Sequence, residues 1–325
     1  MKLEAMPIKK EELSWLMQEE AQKEGWHYSQ EDVDFYFNYS RNQITALKID
    51  GELAGCVLVH TSAGCFQDSP IRSMGFYLVT EKFRGQKIAG PFLMEKIIAE
   101  LKETALVCFH AVPKAVGFYE RAGFMKTPLV DIFYAINLTD CYSNILKTML
   151  PTPASLKCLV EAQYDCVFDY NKIVFSGKDA GICDFISHWI KRPDAIVLAY
   201  YEQDVVKGYG VLTVCQRKDE ENTKPCYRLS PLYADSATIA NTILNGALQY
   251  ALQTNAYRME LNTLANSDSL FANRLEEVGF VANGKNYIVC NQPALIKQDT
   301  SILQKIFSSI PLEYPHEVTA ALMER

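Results

Sequence analysis

Apolar residues recur at helical spacing over residues 10–23 (KEELSWLMQEEAQK), where Leu13, Leu16 and Met17 share one side. Residues 30–38 (QEDVDFYFN) predict a second short helix. The pattern then becomes strand-like over 43–49 and 52–60, joined by Asp50-Gly51. Asp-Gly between two apolar runs signals a two-residue hairpin, because a type I′ turn needs positive φ. A strand over about 71–79 runs into KFRGQKIAG and a helix reaching about residue 103. A strand at 105–110 (ALVCFH), a helix at about 113–122 and a strand at 129–137 complete the series.

Residues 139–178 are weakly periodic and contain Pro151-Thr152-Pro153, which marks a boundary. The same order of elements then returns. A helix at about 179–191 precedes strands at 195–201 and 205–215, with Glu202-Gln203-Asp204 as the polar turn. A strand at 226–232, a helix at 236–253, a strand at 257–263, a helix at 267–277 and a strand at 286–291 follow. Gly123-Phe124 and Gly279-Phe280 occupy matching places. A repeat of this length means two copies of a domain.

Composition adds limits. The chain has 325 residues, 49% apolar and 22% charged, as in an ordinary globular protein of two domains. No apolar stretch is long enough to cross a membrane as a helix. Met1 to Leu13 carries charges of both signs and no apolar run, so a secretory signal is not expected and a cytoplasmic location is. The ten cysteines form no CxxC pair. They are expected to be reduced thiols acting as small core hydrophobes, and no metal site is expected. Net charge is −7, which disfavours nucleic acid and mildly suits cationic substrates such as amines.

The richest segment runs from Met74 to Ala89 (MGFYLVTEKFRGQKIA), a strand entering a basic turn that opens a helix. N–H groups at a helix start lack intrahelical partners, and the helix dipole adds positive charge there. Such a turn suits a diphosphate, with Arg84 and Lys87 supplying cations. Gly85 lets the backbone approach the anion closely. Gly85 to Gly90 is followed by Pro91-Phe92 in place of a phosphate loop's Lys-Ser/Thr, so a nucleoside triphosphatase is disfavoured. A Rossmann GxGxxG is absent as well. Downstream, His110 to Phe124 (HAVPKAVGFYERAGF) reads as a strand end, a helix with Tyr119 in its last turn, and a C′ glycine at Gly123.

RGQKIA resembles the Q/R-x-x-G-x-G/A acetyl-CoA signature of the GNAT N-acetyltransferases, and AVGFYERAGF resembles their A-x-x-FY-x-x-x-GF helix. Glu24-Gly25-Trp26, Ala111-Val112-Pro113 and Tyr227 to Ala240 resemble tandem GNAT proteins whose C-terminal half is a YitH-type acetyltransferase domain. The resemblance implies an α/β (α+β) chain of two tandem GNAT folds, each a mixed, mostly antiparallel sheet flanked by helices. It divides the chain into an N-terminal acetyl-CoA-binding domain (1–140), a linker and start of the second domain (141–178), a degenerate C-terminal domain (179–295) and an extension (296–325).

The departures are specific. Lys87 stands at the signature's glycine position, where its Cβ is expected to fit a helical conformation. Val112 stands where many members have Asn. In the second copy Asp235-Ser236-Ala237-Thr238 replaces the basic turn, with Asp235 and Ser236 as expected N-caps, and Leu275 replaces Tyr119.

The resemblance implies direct attack of an amine on the thioester of acetyl-CoA, the cosubstrate. Residues 71–79 and 105–110 are the expected splayed strands. Leu78, Val79, Arg84, Gly85, Gln86, Lys87, Ile88 and Ala89 are the expected cofactor contacts, and Tyr119 the general acid. For the base, Glu24, His110, Tyr77 and a water chain stay open. Trp26 fits either a substrate pocket or a buried anchor, and His27, His60, His188 and His316 show no pairing pattern. The acceptor, a small-molecule or a protein amine, is not specified, nor is the oligomeric state. The alternative is a non-catalytic CoA-binding regulatory or protein-interaction module.

Overall fold

The computed structural model describes residues 1–66, 69–101, 106–175, 177, 181–215, 224–265, 268–292, 299–311, 313 and 314. Leu3–Pro7 forms β1, which the apolar pattern does not reveal. The expected first helix is composite: α1 is Lys10–Trp15, followed by a π turn over Leu16–Glu20 and a 3-10 turn over Gln22–Glu24. Leu13, Leu16 and Met17 are buried, as their spacing requires. α2 (Gln30–Asn38) opens on a reciprocal cap in which Ser29 and Asp32 each accept the other's backbone N–H. β2 (Asn42–Ile49) and β3 (Glu52–Phe66) turn at Asp50 and Gly51, at φ +49° and +85°. β4 (Ser69–Val79), α3 (Ala89–Leu101), β5 (Leu106–Ala111), α4 (Val116–Arg121) and β6 (Met125–Asn137) follow. Gly123 ends α4 at φ +95°, in the C′ role expected of it.

The stretch read as a boundary holds more structure than its pattern suggests. It contains α5 (Tyr142–Thr148), the edge strand β7 (Leu156–Cys158) and α6 (Asp165–Val174). The buried face of α6 is Val167, Tyr170, Asn171 and Val174, a helical spacing disguised by two polar side chains. Asn171 is buried because its Oδ1 accepts the Tyr209 hydroxyl at 2.9 Å. Then come α7 (Ile182–Trp189), β8 (Ile196–Glu202), β9 (Val205–Val214), β10 (Cys226–Ala234), α8 (Ala237–Gln253), β11 (Arg258–Leu264), α9 (Ser269–Val278) and β12 (Val281–Cys290). The extension adds α10 (Thr300–Leu303) and β13 (Ile306–Ser308), neither of which periodicity predicted. His316, and parts of the expected elements at 102–105, 178–180 and 266–267, lie outside the described residues.

The strands join into one mixed sheet, in the order β1–β2–β3–β4–β5–β12–β6–β11–β10–β9–β8–β7. The two halves exchange their last strands. β12, from the second half, pairs with β5, while β6, from the first, lies between β12 and β11. Each half's sheet is therefore finished by a strand of the other.

Both halves contain a parallel pair that parts. β4 and β5 pair only at Ile71–Leu106 and Arg72–Val107 and then diverge. β10 and β11 pair from Cys226–Arg258 to Arg228–Glu260 and then diverge. In the second half β13 enters the gap. It pairs with β10 at Leu232–Ser308 and Tyr233–Ile306, and Ser309 N–H donates to Asn262 O at 2.9 Å on the β11 side. Ser308 Oγ donates to Leu229 O (2.7 Å), and Ser230 Oγ to Ser309 O (2.6 Å). The chain then crosses to the first half, where Glu313 lies against Gly75 of β4.

Three expectations need correction. Lys87 has φ +57°, in the left-handed region, because α3 begins only at Ala89. Ser236 does cap α8, accepting Ile239 N–H at 3.4 Å, but Asp235 does not. Its carboxylate binds the Tyr170 hydroxyl and faces Lys207 and Lys305. Cys56, Cys108, Cys215, Cys226 and Cys290 are buried free thiols as expected, whereas Cys65 and Cys158 are exposed.

Gly75 is fixed by this crossing. A Cβ there would lie 2.6 Å from Glu313 Cβ and 2.8 Å from Glu313 Cα. Gly75→Ala should therefore cost about 1–3 kcal/mol, measured by urea denaturation, through displacement of the C-terminal segment. Unchanged stability would mean that the segment does not cross β4 here.

Candidate active site

The diverging β4 and β5 open a cleft of about 860 Å³, within the range of small-molecule sites. One wall is β4. Its pairing with β3 slips between Cys56–Leu78 and Leu58–Gly75, leaving an extra residue on β4. Phe76, at φ +43°, forms this bulge, an unfavourable conformation for a bulky residue. Phe76, Tyr77, Leu78 and Val79 all line the cleft. A bulge in a strand with no partner on its other side leaves backbone groups free to meet a ligand.

At one end of the cleft lies the turn before α3. Gly85 has φ +75°, and the N–H groups of Gly85, Gln86, Lys87 and Ile88 donate to no described residue. Gly85, Gln86 and Lys87 are exposed, and Ala89 starts the helix. Arg84 behaves differently from the expectation of a free cation. Its Nε donates to Val79 O at 2.6 Å and its Nη1 pairs with Glu24. Lys114 pairs with the other oxygen of Glu24. The Lys114 hydrogen bond, together with Arg84, outweighs burial and holds Glu24 below the usual carboxylate range. Glu24 is thus a counterion in this state, with little basicity.

The opposite wall carries Tyr119 and His110. Tyr119 is 6% exposed and packs edge-on against Phe109, with ring centroids 4.9 Å apart. Its hydroxyl makes no hydrogen bond to a described residue, and burial pushes the phenol up. Tyr77 is engaged instead, donating to Gly90 O at 2.5 Å. His110 lies at the end of β5, with Nε2 2.5 Å from Oδ2 of the fully buried Asp131. Asp131 comes from the exchanged strand β6, and its Oδ1 accepts Ser309 Oγ at 3.1 Å. The pair therefore exists only because β6 and the C-terminal segment meet here. Sequence reading had His110 among several bases and did not single out Asp131, which sits far along the chain in an ordinary strand.

The chain matches the model of the acetyltransferase (GNAT) family over residues 11–124 and an acetyltransferase (GNAT) domain model over 183–302. It belongs to the GNAT family, with two domains in tandem. Solved structures agree in fold. A tandem GNAT protein from the clavulanic acid biosynthesis pathway superposes with TM-score 0.67 at 11% identity, covering 89% of this chain and 98% of that one. Saccharomyces cerevisiae N-myristoyltransferase with bound myristoyl-CoA gives 0.65 at 13% identity, covering 89% and 82%. A GCN5-related N-acetyltransferase from Anabaena variabilis gives 0.52 at 12% identity, covering 89% and 72%. No curated protein matches the chain by sequence.

Beyond Tyr119 and His110, the cleft is bounded by the second domain and by the segment after α1. Trp26 lines it and packs near Phe76, with ring centroids 6.3 Å apart. His27, which showed no pairing pattern in the sequence, has Nδ1 3.0 Å from Glu260 Oε2. Arg228 lies 3.4 Å from Glu260 and 3.6 Å from Asp32 of α2, and Arg192 joins Asp32 (2.6 Å) to Asp194 (2.8 Å). Burial alone would raise Glu260, but His27, Arg228 and Arg258 outweigh it and bring it to about 2. Cys215 and Cys226 place their sulfurs beside this carboxylate; the cationic partners already on Glu260 oppose a divalent ion there. Glu313 is held by the hydroxyls of Tyr28 (2.5 Å) and Tyr36 (2.6 Å). The pairs His27–Glu260, Arg228–Asp32 and Arg192–Asp32 are not visible in sequence, because they join residues of opposite halves.

The Glu260 network has a pH signature. Its folded pKa is depressed, so its contribution is full above the unfolded value of 4.5 and is lost as pH falls toward about 2. About 3 kcal/mol of unfolding free energy should disappear across that window. Glu260→Gln should flatten this part of the profile and cost about 3–5 kcal/mol at neutral pH, measured by urea denaturation across pH.

Proposed function

We propose that the protein is an acetyl-CoA-dependent N-acetyltransferase whose first domain binds the cofactor and carries the chemistry. The observation that supports this reading is the gap between β4 and β5, which no described strand fills and whose lining runs from Arg84, next to the free amides at 85–88, to Tyr119 and His110. The diphosphate would sit on the turn before Ala89, competing with Glu24 for Arg84. The pantetheine arm would fill the gap along Leu78 and Val79, where an N–H beside the bulge can stabilise the oxyanion.

His110, oriented by Asp131, takes a proton from the acceptor amine. The amine nitrogen then bonds to the thioester carbon, the carbon–sulfur bond breaks, and the thiolate leaves. Tyr119 supplies its proton. Burial raises the phenol and keeps it protonated until the thiolate forms beside it. Glu24, being ion-paired, and Tyr77, bonded to Gly90, are weaker candidates for the base. The second domain shapes the acceptor side and holds no cofactor of its own, since β13 occupies its gap.

Titration calorimetry with acetyl-CoA should give one site per chain, and Arg84→Ala should weaken it about tenfold, the size of one charge-assisted hydrogen bond. Two sites, or unchanged affinity in the variant, would overturn the cofactor assignment. In a thiol-release assay over an amine panel, His110→Gln and Tyr119→Phe should each lower kcat about 10²–10⁴-fold. Binding without thiol release on any amine would instead favour a non-catalytic CoA-binding module.

A further inference from the structure

The far wall of the cleft bears on the acceptor's chemistry. A strand sends alternate residues to one face, and β11 sends Arg258, Glu260 and Asn262 to the cleft. The carboxylates there are already engaged. Glu260 faces His27 and Arg228, Glu313 accepts from Tyr28 and Tyr36, and Glu24 pairs with Arg84 and Lys114. Arg228 is engaged too, by Asp32, Glu260 and the carbonyl of His27.

Arg258 shares Glu260 with His27 and Arg228. Its side chain is 16% exposed, and its Nε lies 3.6 Å from Glu260 Oε2. That Nε is buried and makes no hydrogen bond. Lys285, on the same wall, has no ion pair among the described residues; its ammonium lies 5.4 Å from the Tyr287 ring centre. Asn262 is 6% exposed, and its Oδ1 is buried without a hydrogen-bond partner. A half-buried guanidinium that shares one carboxylate is costly until a further anion completes it. In the cleft lining Arg84, Lys114, Arg228, Arg258 and Lys285 outnumber Glu24, Glu260 and Glu313, although the chain as a whole carries −7. A polyamine would meet two cations and no free carboxylate. A carboxylate would meet a guanidinium fork, the donor geometry that fits it best.

We propose that the acceptor is an amine that also carries a carboxylate, with Arg258 gripping the carboxylate and Asn262 Oδ1 accepting from an N–H of the same molecule. This differs from the mild preference for cationic substrates suggested by net charge. The proposal rests on the acetyl-transfer reading for its place in a reaction, but it can be tested by binding alone.

The test uses matched pairs differing by one carboxylate: L-phenylalanine and phenethylamine, L-lysine and cadaverine, L-ornithine and putrescine. Each is titrated into the full chain saturated with CoA. At least one acid-bearing member should bind tenfold or more tightly than its partner. Arg258→Met should close that gap, and Arg258→Lys should restore part of it. Melting curves of both variants check that each is folded. If Arg258→Met does not fold, the Arg258→Lys comparison decides: a gap as wide as in the wild type overturns the proposal. No gap in any pair, including no binding at all, overturns it too, as does a gap that survives Arg258→Met. If the gap is present but no pair supports thiol release from acetyl-CoA, the carboxylate site stands and the acetyl-transfer reading falls.

Discussion

Parallel strands that part after a few residues leave backbone donors and acceptors facing a gap, and those groups need partners. This chain has two such gaps, and it meets the need in two ways. Between β10 and β11 the chain supplies its own third strand, β13, with Ser230, Ser308 and Ser309 closing the remaining polar groups. Between β4 and β5 no described strand enters, and a bulge at Phe76 interrupts β4 there. The same architecture thus yields one sealed core and one cleft.

The exchange of β6 and β12 binds the two outcomes together. Because β12 lies against β5 and β6 against β11, neither half has a complete sheet by itself. The exchange also delivers Asp131 to His110, and the strand that seals the second gap delivers Ser309 to Asp131. The segment then passes Gly75 and reaches an aromatic cluster, where Tyr314 packs among Phe35, Tyr36, Tyr39 and Phe185. The filled gap in the second half and the lining of the cleft in the first are two consequences of one chain path.

Charge follows the same division. Deep between the halves, Asp32, Arg192, Asp194, Arg228, Glu260 and His27 largely satisfy one another. Such a network adds less to stability than its count suggests, because desolvation offsets much of the attraction. Its greater effect is on geometry: it holds α2 and the segment before it against β10 and β11. Toward the cleft the hydrogen bonding is incomplete, at Arg258 Nε and Asn262 Oδ1 on β11 and at Arg84 Nη2 in the turn before α3.

The sequence determined a good deal. Local chemistry fixed the Asp50-Gly51 hairpin, the C′ glycines at Gly123 and Gly279, the Ser236 cap and the order of elements in both copies, because each depends on residues adjacent in the chain. The glycine turn before α3 and the position of Tyr119 were legible for the same reason. It could not show that Lys87 is left-handed, since φ there depends on where α3 starts. Nor could it show β1, β7 or β13, which are too short for a period to register and exist only because an edge or a gap was waiting for them. Above all, only the tertiary structure decided which strand each half would finish with. Both last strands follow the same Gly-Phe signal, and pairing across the halves is a contact between residues more than a hundred positions apart. His110 with Asp131, His27 with Glu260 and Arg258 facing the cleft all descend from that choice.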